Sequence, residues 1–170
     1  DLEPQRSAAD VGGWHRADRM GVSCAVLYDS HRQILTDFHE NQVAELLRRL
    51  QEFDLVIGFN IKRFDYRVLS GYFDWDFDRL PTLDILDSLY HRLGFRLSLD
   101  HLARNTLGVK KQADGLQALR WWREGRMDAL LQYCRQDVLI TRDLFLFGRR
   151  RGYLLFAERS GRKVRIPVEW

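Results

Sequence analysis

A chain of 170 residues with 45% hydrophobic side chains, including five Trp, six Tyr and ten Phe, can build one domain with its own core and leaves no room for a second large one. Its formal charge is +3, with a sequence pI near 9.0, and no apolar run of about eighteen residues suggests a membrane span. The opening DLEPQRSAAD lacks the basic and apolar pattern of a secretory leader, and Cys24 and Cys134 lack metal-finger spacing, so a reducing cytoplasmic setting with two free thiols is the expectation.

Asp1 to Glu3 read as the end of an extended element, and RSAADVGGWHRADRM as a loop pivoting on Gly12 and Gly13. GVSCAVLYD and RQILTDF are extended runs joined by a turn, which predicts a hairpin. NQVAELLRRLQEF has apolar residues at 43, 46, 47, 50 and 53, one face of a helix, with Asn41 as the expected cap. DLVIGF is a short apolar strand suited to the middle of a sheet. KRFDYRVLSGYF predicts a helix directly after it. TLDILDSLYHRLG predicts another, capped by Thr82 and closed by Gly94. Ser98 caps a short helix ended by Gly108, and after the polar VKKQADG comes the helical LQALRWWREG. From Met127 to Phe147 the apolar spacing predicts a long helix packed on a sheet, its end bracketed by Gly148 and Gly152. YLLFAE and KVRIPVEW close the chain as two strands. This order describes a single α/β domain.

Positive charge gathers in GRRRG at 148–152, RSGRKVR at 159–165, VKK at 109–111 and REGR at 123–126. Such patches suit a polyanion, and a merely solvated surface explains them equally well. The carboxylates are more informative in combination. Asp1 and Glu3, two apart on an extended segment, share a face. Asp65 follows a strand at the edge where α/β folds form clefts, and Asp137 lies on the long helix four residues after Tyr133. Each has a plain reading: a polar terminus, a helix cap, a surface ion pair, a core aromatic. Gathered in one cleft, they would repel one another unless hard cations neutralised them.

In order, Asp1-Leu2-Glu3, GFNIKRFD with Asn60, Phe64 and Asp65, and YCRQD with Tyr133 and Asp137 resemble the three motifs of the DEDD 3′-5′ exonucleases of the ribonuclease-H-like fold, tyrosine subtype. PTLDIL and RLSLDHLARNTLG are similar to the intermediate elements of these proteins. The closest likeness is to bacterial ribonuclease-H-like domains related to family B polymerase proofreading exonucleases, and it spans essentially the whole chain. It implies a central mixed β-sheet flanked by helices over residues 1–170, with a few upstream residues of the first strand expected before Asp1. Pro4, where many relatives have Thr, cannot donate a backbone hydrogen bond, so any terminal-nucleotide contact made there must differ.

The resemblance further implies two divalent cations, Mg2+ or Mn2+, held by Asp1, Glu3, Asp65 and Asp137. Tyr133 would orient the attacking water, and Asn60 and Phe64 would border the substrate. The implied activity is 3′-5′ hydrolysis of single-stranded ends of DNA or RNA, with a helicase or polymerase as a candidate partner or fused domain. His91 and His101 lack the position that another subtype uses and are read as surface or structural residues. The GGWH loop, Trp121 and Trp122 are candidate groove walls. A non-catalytic nucleic-acid-binding or docking module and a two-metal endonuclease are the alternatives.

Overall fold

The computed structural model describes residues 1–110 and 115–170. β1 (Leu2–Pro4), β2 (Val22–Asp29) and β3 (Ile34–His39) form an antiparallel segment in that order. β4 (Val56–Gly58) pairs in parallel with β5 (Thr82–Asp84), while β6 (Tyr153–Ala157) and β7 (Lys163–Pro167) form an antiparallel ribbon. The helices are α1 (Ala8–Val11), α2 (Val43–Gln51), α3 (Asp65–Leu69), α4 (Ile85–Leu93), α5 (Leu99–Leu102), α6 (Gly115–Arg123) and α7 (Met127–Arg151). The fold is mixed α/β, with strands at its centre and helices on both faces. Among the described residues no helix is long and apolar enough to cross a membrane.

Alternation along β2, broken once by the register shift opposite Glu3 and Pro4, lets the strand serve two cores at once. Val22 and Ala25 pack with Leu46, Leu47, Leu50, Val68 and Leu69 of α2 and α3. Cys24 and Val26 point the other way, to Leu130, Tyr133, Cys134 and Val138 of α7. A third cluster joins α4 and α5 to the far half of α7 and the β6–β7 ribbon through Leu89, Leu102, Leu144, Leu154 and Ile166. α7 is therefore shared between two clusters, its front half on β2 and its rear half on the ribbon.

The hairpin, the strand at 56–58, the Ser98 cap, Gly94 and Gly108 stand where the sequence places them. Five local expectations need correction. The stretch 6–20 is no plain loop. Ser7 and Asp10 form a capping box that starts α1, and a 3-10 turn follows over Trp14–Arg19. Asn41 is not the cap of α2, because a 3-10 turn over Glu40–Gln42 precedes that helix and the Gln42 side chain reaches back to the His39 N–H. The helix after β4 is confined to Asp65–Leu69; just beyond it Gly71 lies so close to the Asp18 carbonyl that a Cβ there would sit 1.8 Å from its oxygen. Thr82 belongs to β5, and Asp84 caps α4 instead, accepting from the Asp87 N–H. α7 runs past Phe147 to Arg151, between the two glycines expected to bracket its end; Gly148 lies within the helix where Trp170 rests, and Gly152, left-handed at φ 72°, terminates it. The polar segment expected at 109–115, and Lys111 of the VKK cluster, fall partly outside the described residues.

Candidate metal centre and active site

β1 and α7 bring three carboxylates together. Asp1 and Glu3 flank Leu2, which is buried in the α2/α3 core, so the two acids turn to the opposite face, toward α7. There Asp137 sits between Tyr133 and Cys134 on one side and Val138 on the other, all buried against β2. One oxygen from each of Asp1, Glu3 and Asp137 lies within 4.8 Å of the others. Glu3 and Asp137 are buried. Three anionic groups at this spacing repel strongly without a counter-cation, and an all-carboxylate donor set suits a hard divalent ion. The cluster is geometrically capable of coordinating a divalent cation.

Asp65 starts α3 just beyond the carboxyl end of β4. It stands outside the cluster but is tied to the same strand, its Oδ1 accepting from the Leu2 N–H at 3.0 Å. Burial pushes the Asp65 carboxyl up to about 6, against the pull of the Asp1 ammonium and the Leu2 hydrogen bond. That ammonium donates to the Val26 carbonyl at 3.2 Å. Tyr133 is buried one turn before Asp137, its ring meeting Trp121 edge-on with 6.1 Å between centroids.

Asn60 adopts φ +65°, a left-handed conformation that Asn tolerates better than most residues. Its N–H donates to Asp84 Oδ1 at 2.8 Å and its side-chain oxygen accepts from Arg96. Phe64 is half-buried and meets Trp14 edge-on at 6.0 Å; Trp14 itself is 71% exposed. Trp14 is thus the member of the GGWH loop that stands free beside the Asp65 motif, whereas Trp121 and Trp122 pack partly on the α7 core. His101 Nε2 accepts from the Ala157 N–H at 3.1 Å, a structural contact as expected, and His91 lies on the surface beside Asp87.

Two features escaped the sequence reading. Asp84 accepts from the N–H groups of Asn60, Lys62 and Asp87, at 2.8, 3.1 and 3.2 Å, and so fixes the turn between β4 and α3. The Asp in TLDILD, three residues before Asp87, was the available sign of that cap. Cys134 donates its S–H to the backbone and carboxylate oxygens of Asp1, both at 3.4 Å; burial holds this thiol well above its usual range. Nothing in the sequence brings residues 134 and 1 together before the fold does.

Comparison with known proteins adds two findings. Over 118 residues the chain is 32% identical to a DNA polymerase I of Aquifex aeolicus (strain VF5), a stretch covering 69% of this chain and 20% of that polymerase. The chain therefore matches only a fifth of the length of this relative. The sequence pattern of the RNase_H superfamily matches residues 11–146, a span that holds Asn60, Phe64, Asp65, Tyr133 and Asp137 and begins after Asp1 and Glu3. With most of its length matched and the sheet, helices and acidic cluster arranged as described, the chain belongs to the RNase H superfamily.

Proposed function

We propose that the protein is a metal-dependent 3′-5′ exonuclease of the tyrosine subtype, hydrolysing phosphodiester bonds at single-stranded ends with two divalent cations, Mg2+ or Mn2+. The observation that carries this reading is the convergence of Asp1, Glu3 and Asp137 from β1 and α7. Asp65 bound to the intervening Leu2 and Tyr133 one turn from Asp137 add to it. The similarity to a DNA polymerase I favours a nucleic-acid substrate. A helicase or polymerase, separate or fused, is the partner class this reading suggests.

Divalent cations bound here would neutralise charge on the scissile phosphate and acidify the attacking water. In this assignment Asp1, Glu3 and Asp137 would hold the cations, with Asp1 common to both and Glu3 and Asp137 serving the attacking side, and Asp65 would serve the leaving side, directly or through water. Tyr133 orients the water; a phenol, with an ordinary pKa of about 10, is a poor base at neutral pH. Asn60 and Phe64 border the strand end, and Trp14 extends the aromatic wall, where stacking on a base needs no particular sequence.

The test is cleavage of matched 5′-labelled single-stranded DNA and RNA with Mg2+ or Mn2+, with Asp137→Ala as control. A metal-dependent ladder shortening from the 3′ end, absent in the control, is the expected result. Cutting of a circular strand would point to an endonuclease. No cleavage of either substrate would overturn the reading in favour of a docking module.

A further inference from the structure

Two of the basic segments meet in the fold, and they do so away from the carboxylates. β6 and β7 pair Leu154 with Ile166 and Phe156 with Val164, and Leu154, Phe156 and Ile166 are buried against α5 and the rear of α7. Alternation along the ribbon therefore turns Tyr153, Leu155, Lys163 and Arg165 to the outer face. There the Arg165 guanidinium lies over the Tyr153 ring, 4.4 Å from its centroid. Tyr153 in turn meets Phe147 of α7 edge-on at 5.7 Å, and Phe147 lines a hollow with Arg150 and Arg151. Lys163, Arg165, Arg150 and Arg151 thus follow one another along a single strip, linked through two aromatic rings.

The charge of this strip is unbalanced. Neighbouring cations are ion-paired: Arg162 with Glu158 at 2.9 Å, Arg92 with Glu169 at 3.1 Å and, in the turn before Phe147, Arg142 with Asp143 at 2.7 Å. Among the described residues, no carboxylate stands within ion-pair distance of Arg150, Arg151, Lys163 or Arg165, and all four are exposed. Across the ribbon Arg165 faces Leu155 and Lys163 faces Ala157, where acidic partners would have relieved two like charges on one face. The dipole of α7 favours arginines in its last turn, but it gives no reason for the cations of β7.

We propose that the strip binds the sugar-phosphate backbone of double-helical nucleic acid, without regard to sequence and separately from the carboxylate cluster. From Asp137 to Arg151 α7 runs roughly 21 Å, so the two sites lie on different parts of the molecule. Three of the four cations are guanidiniums, whose planar fork matches phosphate oxygens. Phe147 and Tyr153 are half-buried and engaged with each other, so they brace the cations rather than serve as platforms for bases. That favours a duplex over a single strand, which such surfaces hold by stacking. A lipid surface calls for exposed apolar side chains among the cations, and a protein partner for an apolar interface core; none of the large exposed apolar side chains lies on the strip.

The test is binding of a labelled, blunt-ended DNA duplex of about 20 base pairs, followed by fluorescence anisotropy in EDTA. With divalent ions chelated and no single-stranded end present, failure of the nuclease reading would leave this result untouched. Lys163→Ala/Arg165→Ala and Arg150→Ala/Arg151→Ala should each weaken binding about tenfold near physiological salt and lower the slope of log affinity against log salt by roughly two. Arg48→Ala/Arg79→Ala removes the same charge from exposed positions in the α2 and α3 half and should weaken binding less than about twofold. All three variants should keep the parental thermal midpoint. Absence of duplex binding by the parent, or a loss in the strip variants no larger than in the Arg48→Ala/Arg79→Ala protein, would overturn the proposal. So would displacement by polyglutamate as readily as by unlabelled duplex, which would make an acidic protein the partner. Tighter binding of oligothymidine with the same dependence on the strip would overturn it in favour of a single strand.

Discussion

Asp84, which ends β5, and Asp65, which comes after β4, are both buried carboxylates at the same parallel pair, yet they are handled in opposite ways. Asp84 accepts from three backbone N–H groups and caps a helix; its charge is absorbed by the fold. Asp65 receives the Leu2 N–H from the neighbouring strand, and burial leaves its carboxyl reluctant to ionise. A carboxylate ringed by amides is a fastener. One buried beside other acids is held at a cost in stability that a bound cation would offset.

Substitutions sharpen this contrast. The largest effect is expected from Asp137→Ala, which should lower strand cleavage about a thousandfold or more, as fits several kcal/mol of lost charge stabilisation. Binding of Mn2+, followed by calorimetry, should weaken in parallel; cleavage at the parental rate would remove Asp137 from the site. Tyr133→Phe should keep the metal and slow turnover by roughly 10- to 100-fold, visible as a fall in kcat with little change in Mn2+ affinity.

Asp84→Ala should behave as the loss of a fastener, destabilising the protein by about 3 kcal/mol or more, since several N–H groups lose a charged acceptor. Thermal unfolding checks this, and an unchanged midpoint would break the comparison. Asp65→Asn should do the reverse when divalent ions are chelated. With the folded carboxyl at about 6 and the usual value at 3.8, the group costs no stability below about pH 4, and its cost grows between pH 4 and 6 as it ionises more readily in the unfolded chain. The variant should therefore gain up to about 3 kcal/mol at pH 7.5 over the parent and lose that pH dependence, while cleavage falls. Smallest is Trp14→Ala, expected to weaken binding of single strands about tenfold, as one lost stacking contact would, without moving the thermal midpoint; fluorescence anisotropy with a labelled oligonucleotide measures it.

The sequence was most readable where a pattern is local. The α7 stripe, the Ser98 cap and the β2–β3 hairpin each follow from neighbours a few residues apart, and the structure has them. The cap of α4 was legible in principle, but Thr82 and Asp84 both suit a cap, and only pairing with β4 commits Thr82 to a strand. The bounds of α3 were less legible: just beyond it Gly71 lies against Asp18, a contact between distant segments that no periodicity encodes. In the site, the spacing of Asp1 and Glu3 forecast a shared face. That Asp137 would meet them required knowing how α7 lies across β2, and there the likeness of the motifs carried what the residues alone did not.

α7 is a single rod. Its rear is clamped where Trp170 rests on Gly148 and donates its indole N–H to the Phe145 carbonyl, and its front carries Tyr133 and Asp137. From Gly148 to Asp137 the helix runs roughly 16 Å, so it acts as a lever arm: a tilt of about 3° at the clamp swings Asp137 by nearly 1 Å. Displacements of that size can lower a rate by about a hundredfold with every ligand still present. Trp170 thus helps to aim a carboxylate that it never touches.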